Sequence, residues 1–217
     1  DVLPTILTDL IFTKSTGNSV ATWSDAIESI ALFDGTTLVG SGIVTADQIQ
    51  FTGMSLTVAD NTEKTLTLRL TLKCPLGPGA ADGQDFRFSI INNATNIIFG
   101  ATGSGRLTTA YTRSSVDAKN IITVVASELQ FYQQPITTGA GTPMTNVVVW
   151  ATDSCGNRDI NFAGSVSITS TGTMNAVAPV NAIAGIATFS GIIHTVIGDD
   201  FNLTATSTSV SPSVTPV

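Results

Sequence analysis

The chain has 217 residues and a formal net charge of −7, and only 12% of its residues are charged. Its nine lysines and arginines are scattered, which argues against a nucleic-acid partner, and no apolar run reaches the roughly 18–20 residues of a membrane span. Solubility must therefore come from hydroxyl and amide groups, which favours an exposed extracellular β-protein over a cytosolic enzyme.

Apolar residues repeat at every second position, which predicts strands rather than helices. In Thr65–Lys73 the leucines face one side and polar residues face the other, so we expect one buried face. The same alternation predicts strands over Thr8–Ser15, Gln48–Val58, Asp85–Ile91, Asn146–Thr152, Gly164–Ser170, Gly185–Ile192 and Phe201–Ser207. Only Ser24–Phe33 has helical spacing, and we expect at most one helical turn there. Many short strands separated by glycine-rich turns predict antiparallel β-sandwiches.

A change of pattern near Ser127 predicts two domains. We expect one β-sandwich over residues 1–126 and a second over 127–208, with a linker over the Ser/Pro-rich residues 209–217. The first residue is Asp1 rather than an initiator methionine, so we also expect an excised piece of a longer protein.

The segment TDSCGNR, Thr152–Arg158, concentrates reactive residue types, yet a turn explains nearly all of it. Gly156 and Asn157 tolerate positive φ, and Asp153 can accept hydrogen bonds from turn amides. A cysteine nucleophile at Cys155 would need a base, and the sequence has one histidine, His194. We therefore predict no catalytic residue here.

The two cysteines, Cys74 and Cys155, leave two possibilities open: two free thiols, or a disulfide that joins the two domains in an oxidising compartment. Two carboxylate-rich loops are candidate calcium sites, although neither has a complete EF-hand pattern. Their aspartates are Asp82 and Asp85 in one loop and Asp199 and Asp200 in the other. No other cofactor is predicted.

Four aromatic residues are candidates for a sugar-binding platform: Trp23, Tyr111, Tyr132 and Trp150. Trp150 ends the apolar run VVVW, so we expect it in the core. Glycosidase chemistry needs two carboxylates roughly 5–10 Å apart, whereas Glu28, Glu63 and Glu128 belong to different predicted elements. An enzyme is therefore not predicted.

The second half, Glu128–Ser207, resembles a bacterial Ig-like repeat of the invasin and filamin-like type, which occurs in tandem in large surface proteins of Bacteroidota. The residues on the family pattern are Asp153, Gly156, Asn157, Phe162, Gly164, Val166, Ile168 and Thr169. The first half resembles, more loosely, another module of such proteins through TDLIFTKSTGN and KTLTLRLTLK. Together they are similar to gliding-motility filament adhesins, which implies secretion and contact with a substratum.

These observations predict an all-β chain of two tandem Ig-like antiparallel β-sandwich domains. We expect a non-catalytic stalk or display segment of a secreted cell-surface adhesin, acting in surface attachment. Its expected partners are neighbouring Ig-like modules of the same parent chain and an extracellular polysaccharide or substratum. The alternative is a carbohydrate-binding or spacer module of a secreted polysaccharide-degrading enzyme.

Overall fold

The computed structural model describes residues 3–103, 105, 108–115 and 120–216, and gives no side chains for 214–216. The chain forms two compact units, Asp1–Ile122 and Thr123–Val217, so the division lies four residues before the predicted one. In the described residues the secondary structure is one short helix and antiparallel strands, which confirms the predicted all-β, β-sandwich type of fold. No helix in this part of the chain has the length and apolar character of a membrane span.

The described residues of the N-terminal unit form one helical turn and ten strands. The strands and helix are β1 (Thr5–Lys14), α1 (Trp23–Ala26), β2 (Ile27–Asp34), β3 (Thr37–Ser41), β4 (Ile43–Val44), β5 (Gln48–Phe51), β6 (Leu56–Val58), β7 (Leu66–Leu72), β8 (Phe88–Ile91), β9 (Ile97–Phe99) and β10 (Thr112–Ser114). One sheet has the order β10-β8-β1-β5-β4, with β6 and β9 also paired to β1, and the other has the order β3-β2-β7.

Strand β1 shows how the sequence pattern and the fold interact. Its buried residues are Leu7, Leu10 and Phe12, so the buried parity changes from odd to even along the strand. The register with β9 shifts between Leu7 and Asp9, and a bulge of this kind turns the following side chains to the opposite face. The predicted buried face of β7 is less covered than expected, because β7 lies at the edge of its sheet and its leucines are half-buried or exposed.

Over residues 123–216, the part of the C-terminal unit that the structure describes, there are seven strands. They are β11 (Glu128–Gln133), β12 (Val147–Thr152), β13 (Ser165–Ser170), β14 (Val180–Asn181), β15 (Ile186–Phe189), β16 (Asn202–Thr206) and β17 (Ser213–Pro216). They form one sheet in the order β11-β12-β15 and a second in the order β14-β13-β16-β17. Alternate residues of both sheets supply one core, which includes Val149 and Phe189 from the first and Ile168 and Leu203 from the second.

The predicted linker over residues 209–217 is wrong for the described part of that segment. Strand β17 pairs antiparallel with β16, with Ala205 opposite Ser213. The chain just before β17 also pairs with the start of β11, through a parallel bridge between Glu128 and Ser211. Valines and threonines in this segment complete a sheet by main-chain hydrogen bonding, which does not require a large apolar side-chain surface.

Candidate functional site

Strand β12 places Trp150 on the outer face of the sheet β11-β12-β15. Val147, Val149 and Ala151 point inward and are at most 1% exposed, so the even-numbered residues between them point outward. Val148 and Trp150 are accordingly only half-buried. The expectation that Trp150 belongs to the core is therefore wrong, and a large indole lies on a surface-facing position of the sheet.

A bulge in β11 brings Tyr132 to the same place. Phe131 pairs with Val149 and Gln133 pairs with Val148, so Tyr132 is the extra residue between two successive pairs. Phe131 is buried, whereas Tyr132 is 63% exposed. A β-bulge changes the face of the sheet to which a side chain points, and in β11 the side chain affected is the aromatic ring of Tyr132.

The two rings stack face to face, and an arginine covers the indole as well. The ring centroids of Tyr132 and Trp150 are 3.7 Å apart and the ring planes differ by 8°. The Cζ of Arg158 lies 5.2 Å from the centroid of the Trp150 ring, a cation–π distance. Rings stacked this closely leave no room between them, so Arg158, which lies over the indole ring, is on the face opposite Tyr132. We call these three side chains the Tyr132–Trp150–Arg158 stack.

The TDSCGNR segment is the turn that holds Arg158 in place. Asp153 Oδ1 accepts hydrogen bonds from the backbone N–H groups of Cys155 and Asn157, both at 2.9 Å, and its Oδ2 accepts one from Asn157 Nδ2 at 3.0 Å. Gly156 has a φ of +81°, which a residue with a side chain rarely adopts. Thr152 and Arg158 then form an antiparallel bridge, so the turn returns the chain alongside β12.

The stack offers two kinds of interaction to a ligand. One face of the Tyr132 ring is covered by Trp150, and the other is open to solvent. Arg158 makes no ion pair with any residue that the structure describes, so its guanidinium N–H groups remain available to an anion. The arrangement is suited to binding and holds no acid–base pair.

The other two aromatic candidates, Trp23 and Tyr111, lie in the N-terminal unit. Trp23 is fully buried, packs against Phe86 and Phe88, and donates from Nε1 to Asn18 Oδ1 at 2.9 Å. Tyr111 is 39% exposed and has Arg113 at 5.4 Å from its ring. The predicted platform of four aromatic residues is thus reduced to Tyr132 and Trp150, which are parallel but stacked rather than side by side.

The calcium candidates have other surroundings. Asp82 and Asp85 are buried, and Asp85 Oδ2 accepts a charged hydrogen bond from Arg87 Nε. Asp199 and Asp200 are exposed in a bend where Asp200 has a φ of +59°. Within the described residues no three acidic, histidine or cysteine side chains come together as metal ligands. An ion pair accounts for Asp85, and calcium binding at either loop stays a prediction.

Neither cysteine is a free thiol, so the free-thiol alternative is wrong: Cys74 and Cys155 are both disulfide-bonded. His194 is buried and its Nε2 lies 2.7 Å from Ser170 Oγ, which also accepts from the backbone N–H of Gly172 at 3.0 Å. The histidine therefore ties the end of β13 to a neighbouring segment, an ordinary role for a satisfied core histidine.

The contact of Arg158 with the indole of Trp150 is not predicted by the sequence analysis. One feature of the sequence could have indicated this contact. A turn centred on Gly156 places Arg158 opposite Thr152, and Thr152 is two residues after Trp150 on β12, so Arg158 is a diagonal neighbour of Trp150. Diagonal neighbours at that distance are within reach of aromatic and long side chains. To use this feature, one must know whether Trp150 points toward the core or toward solvent. The apolar run VVVW does not show which of these orientations Trp150 has.

No protein-family model and no curated protein sequence matches the chain. Among solved structures, a Parabacteroides merdae beta-glucuronidase matches with 9% identity and a TM-score of 0.33 over 88% of this chain and 20% of that chain. A beta-glycosidase from Bacteroides vulgatus matches with 10% identity and a TM-score of 0.32 over 97% of this chain and 24% of that chain. The chain thus spans about a fifth to a quarter of the length of these enzymes.

Proposed function

We propose that this chain is a non-catalytic structural segment of a large secreted cell-surface adhesin. It acts as a stalk or display module in surface attachment, as the resemblance to gliding-motility adhesins implies. Its neighbours are further Ig-like modules of the same parent chain. The role is mechanical, since a stalk must carry tension between a surface and an adhesive tip without unfolding.

The observation that carries this proposal is the parallel pairing at the two ends of the C-terminal unit. The N–H of Leu129 donates to the carbonyl of Ser211 at 3.0 Å, and the N–H of Ser211 donates to the carbonyl of Ser127 at 2.9 Å. Because the strands are parallel, tension on the two ends slides one strand along the other. The hydrogen bonds are then loaded together in shear instead of opening one after another.

The state of the cysteines supports an extracellular location. Both are disulfide-bonded, and disulfides persist mainly in oxidising compartments such as the cell exterior. The low share of charged residues agrees with this, because the surface is kept soluble largely by hydroxyl and amide groups.

Single-molecule stretching of the 217-residue chain between handles tests the mechanical role. Ser211→Pro removes the N–H that bonds Ser127, and the loss of one such bond costs about 1 kcal/mol. If the bond still holds in the transition state for forced unfolding, unfolding of the C-terminal unit becomes roughly fivefold faster at a given force. The experiment is run in reductant, so that differences in contour length separate the two units.

The matched control is Ala140→Pro, which introduces proline into the same unit away from the paired ends. The turn at Ala140 is closed by the N–H of Thr142 bonding to the carbonyl of Gly139 at 3.0 Å. A proline that fits the turn acts chiefly on the entropy of the unfolded chain, so this variant should unfold under force at the wild-type rate. If Ser211→Pro unfolds at the same rate as Ala140→Pro, the paired ends carry no load and the stalk proposal loses its physical basis.

A second candidate function is the carbohydrate-binding module, and the Tyr132–Trp150–Arg158 stack is the observation that favours it. An exposed aromatic ring lowers solubility and is not required to form the sheet. In this protein a bulge in β11 places the ring of Tyr132 on the surface. This candidate is compatible with a stalk, because a display segment can also bind the surface it meets.

A further inference from the structure

The Tyr132–Trp150–Arg158 stack combines an open aromatic face with a cation that has no anionic partner among the described residues. We propose that it is a binding site for oligosaccharides whose pyranose rings carry carboxylates. This inference rests on the carbohydrate-binding candidate and adds the charge class of the ligand and the residue that selects it.

The aromatic part of the site fits a sugar ring. The axial C–H groups of a pyranose form an apolar patch with partial positive charge, and an aromatic face is the negative part of the ring quadrupole. Tyr132 is 63% exposed and has one face free. Trp150 lies flat against the covered face and restricts the Tyr132 ring, which lowers the entropic cost of ordering that ring when a ligand binds.

The charged part of the site selects an acidic ligand. Arg158 is half-buried and forms no ion pair with any described residue, so it carries a positive charge that no carboxylate of the described chain neutralises at short range. A guanidinium over an indole still presents N–H groups in a fork that matches a carboxylate. A single-stranded nucleic acid also offers rings and anions, so its binding is one of the outcomes of the test.

The geometry also sets the minimum size of the ligand. The indole of Trp150 separates the free face of Tyr132 from Arg158, so one sugar ring cannot contact both. A chain of several rings can place one ring on Tyr132 and bring the carboxylate of another ring to Arg158. The hydrogen-bonded turn from Asp153 to Asn157 holds the arginine in place before the ligand arrives.

Isothermal titration of the whole chain with tetragalacturonate tests the proposal. The matched ligand is the same tetramer with its carboxyl groups reduced to primary alcohols, and galacturonate monomer tests the size requirement. We expect the acidic tetramer to bind about tenfold more tightly than the reduced tetramer, and the monomer to bind most weakly. Tyr132→Ala and Arg158→Gln should each weaken binding of the acidic tetramer about tenfold.

The N-terminal unit supplies a matched control, because Arg113 lies over the ring of Tyr111 at 5.4 Å but without a tryptophan. Tyr111→Ala and Arg113→Gln should leave the affinity unchanged. Tyr132→Phe keeps the ring and should bind like the wild type, and circular dichroism of each variant shows whether it is folded. Arg158→Gln should also abolish the preference for the acidic over the reduced tetramer.

Three results would overturn parts of this reasoning. If both tetramers bind equally and Tyr132→Ala weakens both, the carbohydrate-binding candidate stands and the acidic specificity is wrong. If neither tetramer binds, or if the Tyr111 and Arg113 variants lose affinity as much as the Tyr132 and Arg158 variants, the site is wrong. If a single-stranded oligonucleotide binds more tightly than the acidic tetramer, the ligand class is wrong.

Discussion

Asp153 holds the turn that carries Arg158, so replacing it tests the link between local structure and the proposed site. In Asp153→Ala three hydrogen bonds are lost, two from the backbone N–H groups of Cys155 and Asn157 and one from the Asn157 side chain. At about 1 kcal/mol for each bond, the free energy of unfolding should fall by about 2–3 kcal/mol. The backbone bonds between Asp153 and Asn157 and between Gly156 and Asp153 remain, so the hairpin is weakened and not abolished.

Two measurements follow this change. Urea denaturation should show a lower midpoint with an unchanged slope, and amide hydrogen exchange should show faster exchange at Cys155 and Asn157. Asp153→Asn keeps Oδ1 as an acceptor and should lose only about 1 kcal/mol. The affinity for tetragalacturonate should fall in Asp153→Ala, because Arg158 is no longer held beside Trp150.

The control is Asp60→Ala in the N-terminal unit, where the carboxylate accepts a bond from the Asn61 side chain at an exposed site. Its effect should stay within about 0.5 kcal/mol. If Asp153→Ala unfolds at the same urea concentration as Asp60→Ala and its turn amides keep their protection, the turn does not depend on the carboxylate. The account of how the sequence positions Arg158 would then be refuted.

Two further predictions concern stability. Ala140 precedes Gly141, whose φ of +82° fits the third position of a type II turn, so Ala140→Pro should raise the stability by about 0.4–1 kcal/mol, measured as a higher melting temperature. A lower melting temperature would show that the turn is of another type. Peptide mapping without reduction should recover one linked fragment that contains Cys74 and Cys155, and reductant should lower stability by about 2–4 kcal/mol. Recovery of both cysteines as separate alkylated peptides would contradict the predicted pairing.

Much of the fold followed from local patterns. Period-two alternation located most strands of the C-terminal unit, because a strand with one buried face requires it. The single helical turn was also foreseen, and it ends where β2 begins at Ile27. The alternation over Gln48–Val58 predicts one strand, but the segment is divided into β5 and β6 around Gly53, which has a φ of +64°. A glycine inside an alternating run marks such a break only weakly.

The candidate site was predicted only in part. The sequence identifies Tyr132 and Trp150 as sugar-binding candidates, but it predicts Trp150 in the core and gives no indication that Arg158 lies beside the indole. The apolar run Val147–Trp150 has no polar residue to mark its outer face. The orientation of this run depends on whether its odd-numbered or its even-numbered residues pack against the second sheet. That packing involves residues far away in the sequence.

The sequence by itself determined the all-β class, because alternation and turn chemistry are local and repeat along the whole chain. It also determined the turn at TDSCGNR, since Asp153, Gly156 and Asn157 satisfy its hydrogen bonds and dihedral angles within a few residues. Only the tertiary structure decided that Trp150 faces outward, that a bulge against β12 re-aims Tyr132, and that β17 returns to pair with β16. Each of these depends on strand register, and register is set by contacts between segments distant in the chain.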